Sequence, residues 1–579
     1  MNKRINIIRR KEMSLAKGLL GAAFFLLPSS FFVSCSDFLE IEPMNEVVLE
    51  NFWTEKADVA SVVNGCYEVL ESPDCIQRMG VWGELRSDNI WVGSNVPNDI
   101  NELLKENLLS SNSYCNWSKF YDCINRCNTV IHYAPEVQQI DPNYSEEEMR
   151  ANIAEVTTLR ALCYFYLIRT FRDVPYVTEP SIDDTQDYVV AATPFDQVLD
   201  ALIADLERIK GDAVRRYEVE RYEGNVVYLS EKNSSRITRW TVYTLLADLY
   251  LWKGDWDNCI KCCDAVLAYK REQYEEMLKR VGTFGNLALF HGIPLILEKT
   301  AGSTTCGNAY TEIFGSGNSF ESIFELYFRT NQTQKNTWVA NFYGDSRNTM
   351  GSLSAASFLA KDASSGKNEV FKKTDSRVYE STQGSNSNYA ISKYTRTSVS
   401  FTISTSMSKD EDLKLSSTRR TTDYANWILY RMSDVILMKA EAMIEKGTDF
   451  DGAFHLINTI NKRANDITTT SRSDSLKLAD YNTSKANMEE LLLAERQREF
   501  LFEGKRWFDL VRFARRDGNN TRLISLATRK YIENVNAIKI KLADPNIVYF
   551  PYAKSELKVN PLLKQNPAYG NEEDSQLTK

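Results

Sequence analysis

Ile237-Thr-Arg-Trp-Thr-Val-Tyr-Thr-Leu-Leu-Ala-Asp-Leu-Tyr-Leu-Trp-Lys-Gly-Asp-Trp-Asp-Asn-Cys-Ile-Lys-Cys-Cys-Asp-Ala-Val-Leu-Ala-Tyr269 reads as two helices folded back on each other about Gly254. Ala247 stands seven residues before that glycine, and Trp256 and Cys259 follow it. Small residues let paired helices approach, glycine ends the first helix, and the aromatic plugs the hairpin. Residues 428–464 repeat the arrangement with Ala440, Gly447, Phe450 and Ala453. This is the logic of the tetratricopeptide unit. Two looser pairs are expected at about 54–70 with 114–134 and at 149–172 with 194–210. The fold class is therefore mostly α, with a tetratricopeptide-like scaffold of about four helical pairs.

The segment 149–171 is apolar at Ile153, Val156, Leu159, Cys163, Tyr166 and Thr170, and also at Leu162, Phe165 and Ile168. A helix apolar almost all round belongs in the interior. Between 271 and 425 the chain turns to Gly, Ser, Thr and Asn with scattered aromatics, as in Ser381-Thr-Gln-Gly-Ser-Asn-Ser-Asn-Tyr389. Loops and short strands laid over the helices are expected there. The expected organisation is one domain, 35–579, with helical parts at about 35–270 and 426–579 and a loop-rich part between them.

Residues 1–34 read as an export signal. Lys17 precedes the apolar run Leu19-Leu-Gly-Ala-Ala-Phe-Phe-Leu-Leu27, and Ser34 precedes Cys35. A positive flank, a short apolar stretch and a small residue before cysteine fit cleavage that leaves Cys35 as the amino terminus. The run is too short, and too broken by Pro28, for a span of about 20 apolar residues. Arg9-Arg10 lacks the apolar partners of twin-arginine export, and Met13 offers an alternative start. Removing 1–34 leaves 63 basic against 77 acidic residues, a net charge of −14. An acidic chain without a basic block argues against nucleic acid as a partner.

The 11 cysteines include pairs four apart, Cys123 with Cys127 and Cys259 with Cys263. Such pairs share one helix face and constrain little as disulfides, so packing is the expected role. Cys259, Cys262 and Cys263 lack the further ligands of a zinc site.

Four separated segments resemble the SusD/RagB family of outer-membrane lipoproteins from Bacteroidetes-type bacteria. They are Leu159–Val177, Arg431–Ala442, Asn560–Tyr569 and, most specific, Glu495-Arg-Gln-Arg-Glu-Phe-Leu-Phe-Glu-Gly-Lys-Arg-Trp-Phe-Asp-Leu-Val-Arg512. Trp117, Tyr121 and Asn128, with Glu321-Ser-Ile-Phe-Glu325, extend the likeness along the chain. Arg172 departs from the family, which often has glycine there, and Tyr552-Ala553 and Ala568 depart at two further turns. The resemblance implies a SusD-like fold with lipid at Cys35, whose surroundings are similar to a lipobox. Asp37 and Glu40 resemble an acidic surface-export signal. It further implies a SusC-like TonB-dependent transporter as partner, over which the lipoprotein acts as a lid that captures a glycan at the cell surface. Peptide capture on the same scaffold is the alternative, and a surface glycan hydrolase is the rival from another class.

No cofactor, catalytic or metal site is expected. The carboxylates Glu495, Glu499, Glu503 and Asp509 could pair across a glycosidic bond. Yet Glu495 has Arg498, Glu499 has Arg496 and Glu503 has Arg506 at helical spacing, which favours structural ion pairs. His132, His291 and His455 are isolated in sequence, and no zinc-protease, nucleophile-elbow or phosphate-loop motif is present. Sugars need flat aromatic platforms flanked by polar fingers. Trp91, Trp338 and Tyr343 are therefore the candidate platforms and Asn89 and Asn341 the candidate fingers: Asn89 and Trp91 lie in a polar, turn-rich segment between expected helices, and Trp338, Asn341 and Tyr343 follow the expected strand Ile323–Phe328, so the ligand face is expected near residues 89–98 and 327–345. Trp117, Trp240, Trp256 and Trp507 lie in helical motifs and are expected in the core.

Overall fold

Ten helices of twelve residues or more form among the described residues of the computed structural model. They are α1 (Lys56–Leu70), α2 (Ser118–Ile140), α3 (Glu146–Phe171), α4 (Phe195–Ile209), α5 (Arg239–Lys253), α6 (Trp256–Val281), α7 (Met432–Lys446), α8 (Phe450–Asn465), α9 (Lys485–Glu499) and α10 (Arg506–Asp517). The structure describes residues 52–572 apart from 183–188, 218–220, 224–225, 229, 301–302, 304, 330–333, 346–349, 361–369, 373, 384–388, 403–413, 466–475 and 482. Cys35 and the signal segment lie outside the described residues.

From α1 to α9 each helix packs on the next, so the four expected pairs are present as α1/α2, α3/α4, α5/α6 and α7/α8. The two glycine hairpins form for the stated reason. Gly254 (φ 81°) and Gly447 (φ 70°) end α5 and α7 in the left-handed conformation that costs other residues strain. Thr238 caps α5 by accepting from the Thr241 N–H, and Ser145 with Glu148 forms a capping box on α3. Every residue of α3 from Ala154 to Phe171 is buried, as its all-round apolar pattern requires. Arg172 then takes φ 69°, which explains why glycine suits this turn. Its guanidinium is held by Asp173 at 2.9 Å and Asn546 at 2.7 Å.

Burial separates the four helical tryptophans. Trp117 and Trp507 are core, whereas Trp240 and Trp256 are half-buried. Trp240 stacks on Tyr269 at 4.0 Å, and its Nε1 donates to the Arg215 carbonyl, so one rim stays open. All ten described cysteines are buried free thiols.

Short strands join the scaffold to the loop-rich part: β1 (Ile90–Val92), β2 (Leu287–Phe290), β3 (Ile293–Ile296), β4 (Ser322–Leu326), β5 (Leu353–Ala355) and β6 (Trp427–Arg431). β1 pairs antiparallel with β5, which continues through Ala390–Ile391 to Thr382–Gln383. β2 and β3 make a hairpin, and β4 pairs with β6. Both β4 and β6 are wholly buried, and β6 runs straight into α7.

That junction delivers Arg431 into a core of charge. Glu499 accepts from Arg431 at 2.6 Å, Arg463 at 2.7 Å, Arg377 at 2.9 Å and the Ser433 hydroxyl at 2.7 Å. Glu503 accepts from Lys393 at 2.6 Å and Arg431 at 2.8 Å. Glu495 does pair with Arg498, but the other expected neighbours are replaced. Arg496 turns to Asp509 at 2.9 Å, and Arg506 turns to Asp88 at 2.9 Å. Helical spacing identified the ion pairs as structural, while the low-dielectric interior selected partners from distant segments that satisfy each oxygen.

Breaking such a cluster leaves buried charge uncompensated, so Arg431→Met should cost about 3–5 kcal/mol in chemical denaturation. Burial alone would raise the Glu503 carboxyl, but Arg431 and then Lys393 overcome it and hold it at about 2. Its contribution is therefore complete above the ordinary value of 4.5 and is lost as pH falls toward about 2. Stability measured across that window should fall less steeply in Glu503→Gln than in the parent.

Candidate functional site

Residues 338–343 form one wide helical turn whose spacing decides which side chains face out. Trp338 and Tyr343 point inward and are fully buried, with their rings 5.3 Å apart. Trp338 also meets Phe342 at 4.8 Å, and the Tyr343 hydroxyl donates to the Phe502 carbonyl at 3.0 Å. Stacking on a sugar needs an open ring face, and neither residue has one. Asn89 is likewise buried. Its Nδ2 donates to Glu84 at 2.7 Å and its Oδ1 accepts from Gln497 at 2.9 Å, so it ties α9 to the segment before β1. These three candidates are corrected to scaffold residues. The i, i+4, i+5 placement of Trp338, Phe342 and Tyr343 is the helical signal that loop-like composition hid.

Asn341 is exposed and Trp91 half-buried, the latter edge-to-face with Tyr531 at 5.5 Å. The structure brings Ser94, Asn95 and Pro97 to the same cleft as Asn341 and Asp345. Beyond the β1/β5 pairing, the Gly93 N–H donates to the Ser352 carbonyl at 2.9 Å and the Ser94 N–H to the Gly351 carbonyl at 3.0 Å. A Cβ on Gly93 would sit 2.6 Å from the Gly351 oxygen, and one on Gly351 would sit 2.3 Å from the Phe342 oxygen. Only glycine lets these three stretches of main chain close up.

Their rims enclose a cleft of about 780 Å³ lined by Gln77, Ser94, Asn95, Pro97, Tyr114, Asn341, Asp345, Met350 and Ser352, among others. Trp91 does not line it. Tyr114 is half-buried, and its hydroxyl donates to Gln77 Oε1 at 3.3 Å; Gln77 Nε2 donates in turn to Thr337 at 3.0 Å. Burial pushes the Tyr114 phenol up to about 12, so it stays protonated as a donor. Amides, hydroxyls, one carboxylate and an aromatic ring are groups that hold a polyhydroxylated molecule by its edges and faces. Tyr114 and Gln77 were missed. Tyr114 follows Ser110-Ser-Asn-Ser, the same polar context used to select Trp91.

A second cleft, about 830 Å³, lies among Asn64, Glu68, Glu71, Arg126, Arg236, Tyr327 and Gln334. Its cations are already engaged: Arg236 binds Glu155 at 2.6 Å and Arg126 binds Asp122 at 3.0 Å. Glu71 accepts the Tyr327 N–H at 3.3 Å, and burial pushes its carboxyl up to about 7. Among the described residues no three His, Cys, Asp or Glu side chains converge to hold a metal ion, and no helix is long and apolar enough to cross a membrane.

A helical-pair scaffold that carries a polar surface cleft on its loops places the chain in the helical-repeat class. Residues 317–569 match the SusD family, and residues 37–251 match the family described as starch-binding, associating with the outer membrane. The chain belongs to the SusD/RagB family. It is 25% identical to SusD-like protein P38 of Formosa agariphila over 547 residues, covering 93% of this chain and 96% of that one. It is 24% identical to SusD-like protein P25 of the same organism over 578 residues, covering 94% and 98%. A SusD superfamily structure from Bacteroides vulgatus superposes with a TM-score of 0.62 at 18% identity, covering 89% of this chain and all of that one. A structure from the same organism described as a sugar-binding protein gives 0.59 at 20% identity, covering 89% and 99%. The protein is thus a nutrient-binding protein of the SusD type, associated with the outer membrane.

Because Trp338 and Tyr343 are core, replacing either by alanine should cost about 3–5 kcal/mol of stability. Asn341→Ala, at an exposed position, should leave the thermal midpoint unchanged.

Proposed function

We propose that this protein is a lipid-anchored cell-surface lipoprotein that binds an oligosaccharide and delivers it to a partner TonB-dependent transporter of the SusC type. The single observation that carries the glycan reading is the cleft between β1, the 338–343 turn and β5, with its predominance of amide and hydroxyl groups over charge. A polyol exchanges its water hydrogen bonds for such groups at little cost, and the Tyr114 ring offers apolar contact beside them. The family description of starch binding and the sugar-binding structural neighbour support the same class of ligand. Asn341 stays in the proposed site, and Tyr114 and Gln77 replace the three buried candidates. Trp91, half-buried beside Tyr531, becomes a support for the β1 edge.

Binding without catalysis is the proposed chemistry. The carboxylates that could have served a hydrolase, Glu495, Glu499, Glu503 and Asp509, are all buried and paired with cations. Anchoring at Cys35 supplies the membrane attachment, since several acyl chains at about 0.8 kcal/mol per buried methylene hold a protein stably.

A glycan array probed with the untagged protein tests the ligand class. Neutral or acidic oligosaccharides should bind, and Asn341→Ala should weaken the strongest hit by more than about 1 kcal/mol, the scale of an interface hot spot. Retention of peptides in place of glycans would overturn the reading. Cys35→Ala should move the protein out of the membrane fraction, and gentle extraction of the parent should recover a barrel transporter with it.

A further inference from the structure

Two of the three histidines, isolated in sequence, meet in the fold. His455 is exposed on α8, and His291 is exposed at the tip of the β2/β3 hairpin. Their rings lie 5.5 Å apart, and neither lines the clefts described above. His291 holds φ 48°, the left-handed region where non-glycine residues are uncommon.

The hydrogen bonds around the pair fix a tautomer. Thr459 lies one turn beyond His455, and its hydroxyl donates to the His455 carbonyl at 2.8 Å. That uses its only proton. Its oxygen is also 2.7 Å from His291 Nδ1, and there it can only accept. The His291 proton therefore resides on Nδ1, and Nε2 presents a lone pair. A metal-ligating imidazole is held in the same way, by donating its other N–H to a neighbouring oxygen.

We propose that His291 and His455 form a two-imidazole binding site for a divalent transition ion of the copper, nickel or zinc kind, with water completing the coordination. Imidazole suits these ions, and copper binds most tightly along the series. Beside the hairpin tip Arg271 donates to the Gly292 carbonyl at 2.7 Å and is itself paired with Glu275 at 2.7 Å. Lys462 opposes a cation, which with only two protein ligands makes the site one of modest affinity. Protons compete with a metal ion for imidazole nitrogen, so binding weakens as the solution is acidified.

The test is titration of the untagged full chain with Cu2+, then Ni2+ and Zn2+, by calorimetry at pH 7.5 and pH 5.5. One Cu2+ should bind per chain at pH 7.5, with nitrogen hyperfine structure in its electron spin resonance, and affinity should fall at least tenfold at pH 5.5. His455→Ala and His291→Ala should each lower Cu2+ affinity tenfold or more. His132→Ala should leave it unchanged. Thr459→Val, which removes the acceptor for Nδ1, should lower it severalfold while circular dichroism stays that of the parent. Equal Cu2+ affinity in the parent and in folded His455→Ala would overturn the proposal, as would no uptake by the parent.

Discussion

Glu499 gathers three guanidinium groups from three distant parts of the chain, and the remainder of the molecule is arranged around that meeting. Arg377 comes from the loop-rich part, Arg431 from the β6–α7 junction and Arg463 from α8. A carboxylate buried with one cation would cost more than it returns; with three, and a serine hydroxyl besides, both oxygens are engaged. Neighbouring Glu495, Glu503 and Glu321 share the same cations, so the cluster is one electrostatic unit. Apolar packing would hold these segments at many angles, whereas directed hydrogen bonds hold them at one.

The helical pairs were legible in the sequence because their determinants are local. Gly254 and Gly447 mark chain reversal wherever they occur, and small residues beside them mark close approach. The interior placement of α3 followed from its all-round apolar face. What stayed hidden was set by contacts across the chain. Nothing near Arg506 announces Asp88, and nothing near Glu503 announces Lys393. The loop aromatics show the same limit. Asn336, Asn341 and Gly344 around Trp338 read as loop composition, yet six residues coil into a turn there and bury the ring against Trp427 at 6.4 Å. The general location of the cleft was readable, and the side chains lining it mostly were not.

The scaffold and the cleft obey different constraints. Pairs such as Arg512 with Glu441 are buried and tolerate no loss of a partner. Asn95, Pro97 and Asn341 are exposed on the rim and carry no such burden. Exposed loop positions of this kind accept substitution far more readily than buried, paired charges do.

The close approach at Gly93 and Gly351 has an evolutionary corollary. Two backbones touching without side chains between them act as a spacer of fixed gauge, which drift in neighbouring residues cannot widen. In the proposed site, a change of ligand is then a change of the cleft walls and not of its opening. The strand that sets this gauge enters from residues 90–92 and its partner from 353–355, one in each of the two family-matched regions. The proposed site therefore draws on both regions.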